Sequence, residues 1–332
     1  RKIADSHGRA FYRGDLAEAM VADSQEHNGT LSMDDLANHR CEWVGTIDTA
    51  LYDVSLHEIP PNGQGLMALI GTGILNRLGI ADYPLDSADS VHLQIEATRI
   101  AYTCVERHLA DADHMTVGVQ DLLEGKFLQD RADEISLERA NPRPNLLGAN
   151  PDTVYLTSAD ESGMMVSMIQ SNYHGFGSGI VVPGTGISLQ NRGAGFVLEE
   201  GHPNQVGGGK RPYHTIIPGF AMQNGKAKMS FGVMGAHMQA QGHIQMMLRI
   251  FVHGQNPQAA SDAPRWYLQE DGRVALEEGF IPDVIRELER RGHDIELGEP
   301  EWIFGGAQLI YAMENGYCGG SDHRKEGLVA GF

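Results

Sequence analysis

Apolar residues in the first 110 positions recur mainly at the three-to-four-residue spacing of helices. One such stretch stops at Gly29, and Ser32 then opens a Ser-x-x-Asp sequence that resembles a capping box. Between positions 43 and 60, apolar and polar residues alternate, which predicts two strands. The predicted helices cover 15–29, 33–39, 65–78 and 88–110. This part of the chain is therefore predicted to be mainly helical.

The pattern changes after residues 138–152, where three prolines predict an exposed connector. Beyond the connector, Asn224-Gly225 and Asp271-Gly272 each separate two β-rich runs and are hairpin signals. The β-rich runs cover 153–159, 164–172, 214–222, 227–234, 266–269 and 273–277, and later helical patterns cover 238–254 and 282–292. This order of helices and hairpins predicts an α+β layered fold rather than a parallel sheet built from βαβ units.

The register of the first β-hairpin follows from its turn. If residues 161–163 form a three-residue loop with Gly163 left-handed, counting outward places Thr153 opposite Ser171. Directly opposed residues lie about 4.5–5.5 Å apart at Cβ and share one face. Two hydroxyl side chains would then meet where the connector ends. The plainer interpretation is a structural cross-strand pair.

Thr153 begins a strand directly after the connector. If the chain were cut before it, its free α-amine, with a pKa of about 7.7–8.0, could take the proton of its own hydroxyl. One residue would then serve as both nucleophile and base. A threonine at a strand start is usually only a good β-former, so the residues alone favour the structural interpretation over the nucleophile.

Composition narrows the function classes. The chain has 332 residues with 44 acidic and 25 basic side chains, a net charge of −19, so phosphate backbones and anionic lipids would repel it. No apolar run approaches the ~18 residues of a transmembrane helix. Cys41, Cys104 and Cys318 are an odd number, far apart and without CxxC spacing, which argues against a disulfide scaffold or a structural zinc site. His237 and His243 are six residues apart, which favours ordinary surface or hydrogen-bonded histidines over zinc ligands.

Ordered blocks of the sequence resemble the γ-glutamyltransferase family. The start of that family's small subunit is similar to DTVYLTSADESGMMVSMIQSNYHGFGSG, and its later blocks are similar to KRPYHTIIPGF, GAHMQAQGHIQMM, NPQAASDAPRW and GGSDHRKEG. The later part of its large subunit resembles FYRGDLAEAM, LSMDDL and IPPNGQG. The resemblance covers nearly the whole chain and implies that a further N-terminal portion of the large subunit precedes Arg1.

The resemblance implies an N-terminal-nucleophile hydrolase, a four-layer αββα sandwich whose precursor cuts itself before a threonine. In this sequence the scissile bond would be Asp152–Thr153, the nucleophile Thr153 and the family's second hydroxyl Ser171. Residues 1–152 would be the mainly helical C-terminal part of the large subunit, and residues 153–332 the small subunit. The two parts would together form one structural domain.

The family's two oxyanion-hole glycines fall on Gly235 and Ala236. Backbone N–H groups stabilise the oxyanion, so an alanine at the second position is chemically tolerable. The alternative is a plain turn between a strand and the next helix. The short segment 196–210 implies that the covering lid of some family members is absent.

The substrate-binding positions depart from the family pattern. Where the family grips the α-amine of the substrate, this sequence has Arg192 and Gly195. Two serines near the substrate carboxylate fall on His214 and Thr215, and an asparagine near the nucleophile becomes Tyr173. These departures resemble the acylase-like branch of the family. The alternative is that Arg192 and His214 are surface residues of a degenerate site.

The sequence thus predicts a threonine amidohydrolase or acyltransferase that transfers a γ-glutamyl or glutaryl-like acyl group from an amide to water or an amine. The resemblance implies no metal or organic cofactor. The expected partners are a small-molecule amide and, after cleavage, the second subunit, with homo-oligomers left open. The competing hypothesis is a truncated or inactive homologue that acts as a binding or assembly module. No targeting signal is recognised, so the compartment, cytoplasmic or periplasmic, stays open.

Overall fold

A computed structural model of the chain describes residues 1–141 and 152–332, which form a mixed fold of helices and sheets. The helices are α1 Lys2–Asp5, α2 Arg9–Tyr12, α3 Asp15–Glu26, α4 Met33–Asn38, α5 Gly65–Arg77, α6 Ala88–His108, α7 Val119–Leu122, α8 Gly125–Ala132, α9 Met238–Met247, α10 Pro257–Asp262 and α11 Pro282–Arg290. The strands are β1 Ile47–Leu51, β2 Val54–Glu58, β3 Asp152–Ala159, β4 Met165–Tyr173, β5 Val181–Val182, β6 Ile187–Ser188, β7 Gly219–Gln223, β8 Lys226–Met234, β9 Trp266–Leu268, β10 Val274–Leu276, β11 Ile295–Leu297, β12 Gly306–Met313 and β13 Gly316–Ser321.

The central element is a six-stranded antiparallel sheet with strand order β1-β2-β7-β8-β12-β13. Helices α5 and α9 pack on this sheet, and α6 packs on α5. The main core fills the space between them with fully buried side chains such as Leu56, Ile70, Phe231 and Ile244. Helix α5 is apolar nearly all round because the sheet, α6 and α8 surround it.

The hairpin of β3 and β4 packs on the other face of the sheet. Successive side chains of a strand point to opposite faces, and Val233 of β8 contacts α9, so Gly232 faces away from the helices. The Tyr155 ring of β3 lies directly over Gly232. A hydroxyl contact between Thr157 and Ser230 also joins the two sheets. The described residues thus form three layers, with helices on one side of the six-stranded sheet and the hairpin on the other.

The outer face of the hairpin is apolar and exposed. It carries Val154, Leu156, Val166 and Met168, of which Val154 is 62% exposed. Leu156 and Met168 are direct cross-strand partners, so the four residues form a continuous surface. Apolar side chains therefore occur on both faces of the hairpin, since the packed face carries the buried Tyr155 and Met165 beside its hydroxyl side chains.

Several expectations from the sequence are confirmed. The backbone of Gly163 is left-handed, with φ +88°, and Thr153 pairs with Ser171 as the turn predicts. Ser32 caps α4 in a full capping box, because its hydroxyl accepts from the amide of Asp35 and the Asp35 carboxylate accepts from the amide of Ser32. The predicted connector falls largely on residues 142–151, outside the described residues.

Other expectations are wrong. The strand predicted over 214–222 begins only at Gly219, because Pro218 has no N–H for a strand ladder. The backbone of His214 instead bonds to Asn62 and Gln64, at 3.0 and 2.8 Å. The sequence analysis also did not predict the βαβ unit in the separate three-stranded sheet, where β10 and β11 pair in parallel and α11 connects them.

The close approach of Tyr155 to Gly232 predicts a stability effect. A Cβ at position 232 would overlap the Tyr155 ring, so Gly232→Ala must displace either β3 or the ring. We expect its free energy of unfolding to fall by about 1–3 kcal/mol, measured by urea denaturation. Gly208→Ala is the control, because its Cβ meets open space, and it should stay within about 0.5 kcal/mol of wild type. An unchanged urea midpoint for Gly232→Ala would contradict the packing described here.

Candidate active site

Thr153 and Ser171 face each other at the end of the hairpin. The strand register shifts between Asp152 and Thr153, at the bond that the sequence predicts to be cleaved. Such irregularities occur frequently beside active sites because they redirect a side chain and interrupt pairing. The Ser171 hydroxyl oxygen accepts a hydrogen bond of 2.9 Å from the amide of Tyr173, whose backbone has a positive φ of 84°. The two hydroxyl residues therefore lie on paired backbone, opposite each other.

The turn between β8 and α9 contains the two predicted oxyanion-hole residues. Gly235 has φ 135° and Ala236 has φ 51°, a left-handed conformation that alanine adopts rarely. Their carbonyls accept from the first amides of α9, at 2.9 Å for Met238 and 3.2 Å for Gln239. The helix thus fixes the orientation of the turn.

An open cleft of about 660 Å³ connects the nucleophile candidate with this turn. Thr153 and Gly235 both line it, and its far wall includes Trp302 and the C-terminal residues 325–330. Among the described residues, Arg192 and His214 do not line this cleft. The predicted catalytic residues Thr153 and Gly235 therefore line the cleft, whereas the predicted substrate-binding residues Arg192 and His214 lie outside it.

Arg192 is buried, and it has no acidic partner in the part of the chain that the structure describes. The residue belongs to a short helical turn and is 6% exposed. Its Nη1 atom donates a hydrogen bond of 2.9 Å to the Thr215 hydroxyl. The guanidinium carbon lies 4.8 Å from the centre of the Tyr173 ring, a cation–π contact. Its Nε and Nη2 atoms have no hydrogen-bond partner within the described ranges. Tyr173 pairs with Asp152, so the guanidinium contacts the end of the hairpin at which Thr153 and Ser171 lie.

The electrostatics of this region favour an anion. Burial lowers the pKa of Arg192 to about 10, which leaves it charged at neutral pH. Burial, and then the charge of Arg192, lower the pKa of His214 to about 3, so its imidazole is neutral. Burial raises the pKa of Tyr173, which keeps its phenol protonated. A buried and incompletely bonded cation is costly, and a carboxylate would satisfy it.

A family model of gamma-glutamyltranspeptidase matches residues 1–332. The chain belongs to the gamma-glutamyltranspeptidase family. It is 37% identical over 339 residues to the oxamate amidohydrolase proenzyme of Klebsiella pneumoniae, covering 100% of this chain and 64% of that protein. It is 31% identical to a glutathione hydrolase-like proenzyme of Bacillus subtilis, covering 99% of this chain and 64% of that protein.

The crystal structure of cephalosporin acylase from Bacillus halodurans has a closely similar fold. Its TM-score to this chain is 0.93 at 44% sequence identity, and the match covers 99% of this chain and 61% of that one. The chain therefore spans somewhat less than two thirds of the length of these relatives. The predicted α+β class is confirmed at the level of a mixed helix-and-sheet fold shared with this acylase.

Position 195, one of the departures from the family pattern, has no room for a side chain. A Cβ on Gly195 would overlap the carbonyl oxygen of Tyr213. The Asn204 side chain holds both segments, since its Nδ2 donates to the Gly195 carbonyl at 2.7 Å and its Oδ1 accepts from the Tyr213 amide at 3.0 Å. This position therefore cannot supply a polar group to a substrate amine.

Three residues near the candidate site were not predicted from the sequence, namely Gln64, Tyr213 and His237. Gln64 lies in the IPPNGQG block, which the sequence analysis used only for the resemblance. Of the two interpretations of His237, the hydrogen-bonded one is confirmed, because the residue is 5% exposed and its Nδ1 lies 3.2 Å from the Tyr213 hydroxyl. Burial lowers its pKa to about 4. His243 is hydrogen-bonded as expected, at 2.6 Å from the Glu58 carboxylate.

The described residues show neither a metal centre nor a membrane span. Within residues 1–141 and 152–332, no three His, Cys, Asp or Glu side chains are grouped so that they could hold a metal ion. None of the helices in these ranges has the length and apolarity needed to cross a membrane.

Proposed function

We propose that this protein is a self-cleaving threonine amidohydrolase whose preferred acyl groups carry a carboxylate. The observation that carries this proposal is the buried guanidinium of Arg192, which has no acidic partner among the described residues and contacts Tyr173 at the hairpin end that carries Thr153 and Ser171. The names of the relatives support amide hydrolysis, since they are an amidohydrolase, a glutathione hydrolase-like protein and an acylase. Two of them are described as proenzymes, which supports processing.

The proposed reaction begins after cleavage of the Asp152–Thr153 bond, which exposes the Thr153 amine. The amine takes the hydroxyl proton as Oγ forms a bond to the amide carbonyl carbon. The N–H groups of Gly235 and Ala236 stabilise the resulting oxyanion. The C–N bond then breaks, the leaving amine takes the proton, and an ester remains on Thr153. Water, or an acceptor amine, attacks this ester and releases the acyl group.

Arg192 is proposed to bind the carboxylate of the acyl group. Its Nε and Nη2 atoms offer two N–H donors, the arrangement that matches a carboxylate in two parallel hydrogen bonds. Oxamate, the substrate in the name of one relative, carries a carboxylate next to its amide. The open cleft beside Thr153 and Gly235 is proposed to receive the leaving amine, consistent with a bulky leaving group.

The four-layer αββα sandwich is proposed for the complete protein. The described residues supply three layers, and the exposed apolar face of the β3–β4 hairpin is where a fourth, helical layer would pack. We also propose that residues 1–152 and 153–332 stay associated after cleavage as one domain. Their association is supported by the main core, which mixes side chains from both parts, including Ile70 and Phe231.

The test uses the complete, processed protein and two anilides that differ only at the end of the acyl chain. Glutaryl anilide carries a carboxylate, whereas valeryl anilide has the same number of carbons and ends in a methyl group. We expect kcat/KM to be about 10- to 100-fold higher for the glutaryl compound, the range typical of a hydrogen bond to a charged group. Equal rates would disprove the carboxylate preference. Absence of any anilide hydrolysis and of any covalent adduct would favour the inactive binding module instead.

Ser171 is expected to assist Thr153 without replacing it. Ser171→Ala removes the hydroxyl opposite the nucleophile, and we expect kcat to fall by about 10²-fold, the lower end of general acid–base effects. Peptide mapping of the acyl-enzyme should still find the adduct on Thr153. Ser158→Ala, on the outer face of the same hairpin, is the matched control and should retain wild-type kcat. An adduct on Ser171 in the wild-type protein would exchange the two roles.

A further inference from the structure

The side chain of Gln64 connects the two halves of the proposed site. It is fully buried at the start of α5, and its Nε2 donates to two backbone carbonyls, those of Thr215 and Ala236. The bond to Ala236 is 2.8 Å long. Thr215 holds Arg192 through its hydroxyl, and Ala236 belongs to the proposed oxyanion turn. One carboxamide therefore joins the segment that binds the guanidinium to the segment that would bind the oxyanion.

A second pair of side chains holds this carboxamide in place. The Tyr213 hydroxyl donates to Gln64 Oε1 at 2.9 Å and also contacts His237 Nδ1 at 3.2 Å. Because the single hydroxyl proton goes to Gln64, the tyrosine oxygen accepts from an Nδ1–H of a neutral imidazole. The backbone of Gln64 is fixed as well, since its amide donates to the His214 carbonyl at 2.8 Å. These bonds orient the NH2 group of Gln64 towards the two carbonyls.

We propose that Gln64 is a positioning residue that sets the distance between the oxyanion turn and the carboxylate site at Arg192. This inference rests on the proposed function and deepens it, because that distance decides which length of acyl chain can occupy both sites at once. A chain that is too short or too long would lose either the oxyanion contacts or the guanidinium contacts. Gln64 thereby determines chain-length specificity without touching the substrate.

No other common side chain reproduces this arrangement. The two carbonyls require two N–H donors and the Tyr213 hydroxyl requires an acceptor, which a carboxamide supplies together. Leucine has a similar volume and supplies neither. An ionised glutamate would place negative charge against two carbonyl oxygens, whereas a protonated glutamic acid would restore one donor and the acceptor. Burial raises the pKa of such a carboxyl, so protonation would occur at accessible pH.

The experiment measures kcat and KM of the complete, processed protein on succinyl, glutaryl, adipyl and valeryl anilides. For Gln64→Leu we expect kcat to fall by about 10²-fold on all four, the loss typical of a displacement of about 1 Å. We also expect the preference for the best dicarboxylic chain over its neighbours to shrink about 10-fold. Gln245→Glu is the matched control for the glutamate variant, because this buried glutamine also donates to two carbonyls, those of Gln241 and Trp266, away from the site.

Gln64→Glu adds a pH signature that general destabilisation would not produce. The ratio of its kcat to that of wild type should rise as pH falls, because protonation restores a donor at position 64. The corresponding ratio for Gln245→Glu should show no such rise. Tyr213→Phe, which removes only the hydroxyl that orients Gln64, should fold and show a weaker loss of chain-length preference, about 3- to 10-fold.

Two results would overturn the inference. One is wild-type chain-length preference in both Gln64→Leu and Tyr213→Phe, and the other is a flat pH ratio for Gln64→Glu with preference retained. If Gln64→Leu is insoluble, Tyr213→Phe and Gln64→Glu decide the matter. A wild-type protein that hydrolyses none of the anilides would count against the proposed function, which separates that failure from a failure of the role of Gln64.

Discussion

Thr153→Ala is expected to leave the chain in one piece and to abolish amide hydrolysis. The variant lacks the hydroxyl that would attack both the preceding peptide carbonyl and the substrate, so kcat should fall by at least about 10⁴-fold. Thr153→Ser keeps a hydroxyl and should retain slow cleavage. Intact mass spectrometry measures the outcome, with two chains separated at 152/153 for wild type and one chain for the alanine variant.

The control for this experiment is Thr157→Ala in the same strand. Thr157 lies on the same face of β3 as Thr153 and contacts Ser230. Its removal costs a contact between the sheets without touching the proposed scissile bond, so the variant should be cleaved. Normal processing of Thr153→Ala would show that another group cuts the chain, and would remove the basis for assigning Thr153.

The second large effect is expected at Arg192. Wild-type protein should hydrolyse glutaryl anilide at least as well as γ-glutamyl anilide, because the γ-glutamyl donor carries a cationic amine. Arg192 repels that cation, and position 195 has no space for a side chain that would bind it. Arg192→Ala should lower kcat/KM for the glutaryl compound by about 10²-fold, since the partner of its carboxylate is gone.

Two further measurements make the Arg192 result specific. Covalent labelling of Thr153 by a carboxylate-free acylating reagent should persist in Arg192→Ala, which separates substrate binding from nucleophile chemistry. Arg192→Lys keeps the charge but loses the two parallel donors, so its kcat/KM should fall between those of wild type and alanine. A strong wild-type preference for the γ-glutamyl anilide would contradict the assigned role of Arg192.

Local sequence signals were sufficient for the hairpin that carries the proposed nucleophile. Its register depends on a short turn and on the left-handed Gly163, so counting residues is enough to place Thr153 opposite Ser171. The capping box at Ser32 was predictable for the same reason, because both partners lie within three residues. Such features need no knowledge of how distant segments pack.

The binding residues could not be predicted in the same way. From the sequence, Arg192 could be either a substrate-binding residue or a surface residue. Its burial results from packing against Tyr173 and Thr215, which are distant in the chain. The contacts of Gln64 join residues about 150 to 170 positions apart, and no local pattern encodes them. The start of β7 was missed because neighbouring residues, including His214, pair with the segment before α5 instead of with a strand.

The placement of Thr153, Ser171 and Tyr155 on the inner face of the β3–β4 hairpin has a consequence for the order of folding. Thr153 and Ser171 meet through a short local loop, and isolated hairpins of this kind close within microseconds. Gly235 comes next to Thr153 and Ser171 only when the Tyr155 ring packs on Gly232. This docking brings together segments that are distant in the chain, so it is slower than closure of the hairpin. If the oxyanion turn also assists self-cleavage, the peptide bond breaks only in molecules whose sheets have docked. The cleaved chain would then mark molecules that have folded correctly, and the rate of cleavage would report the rate of the docking step.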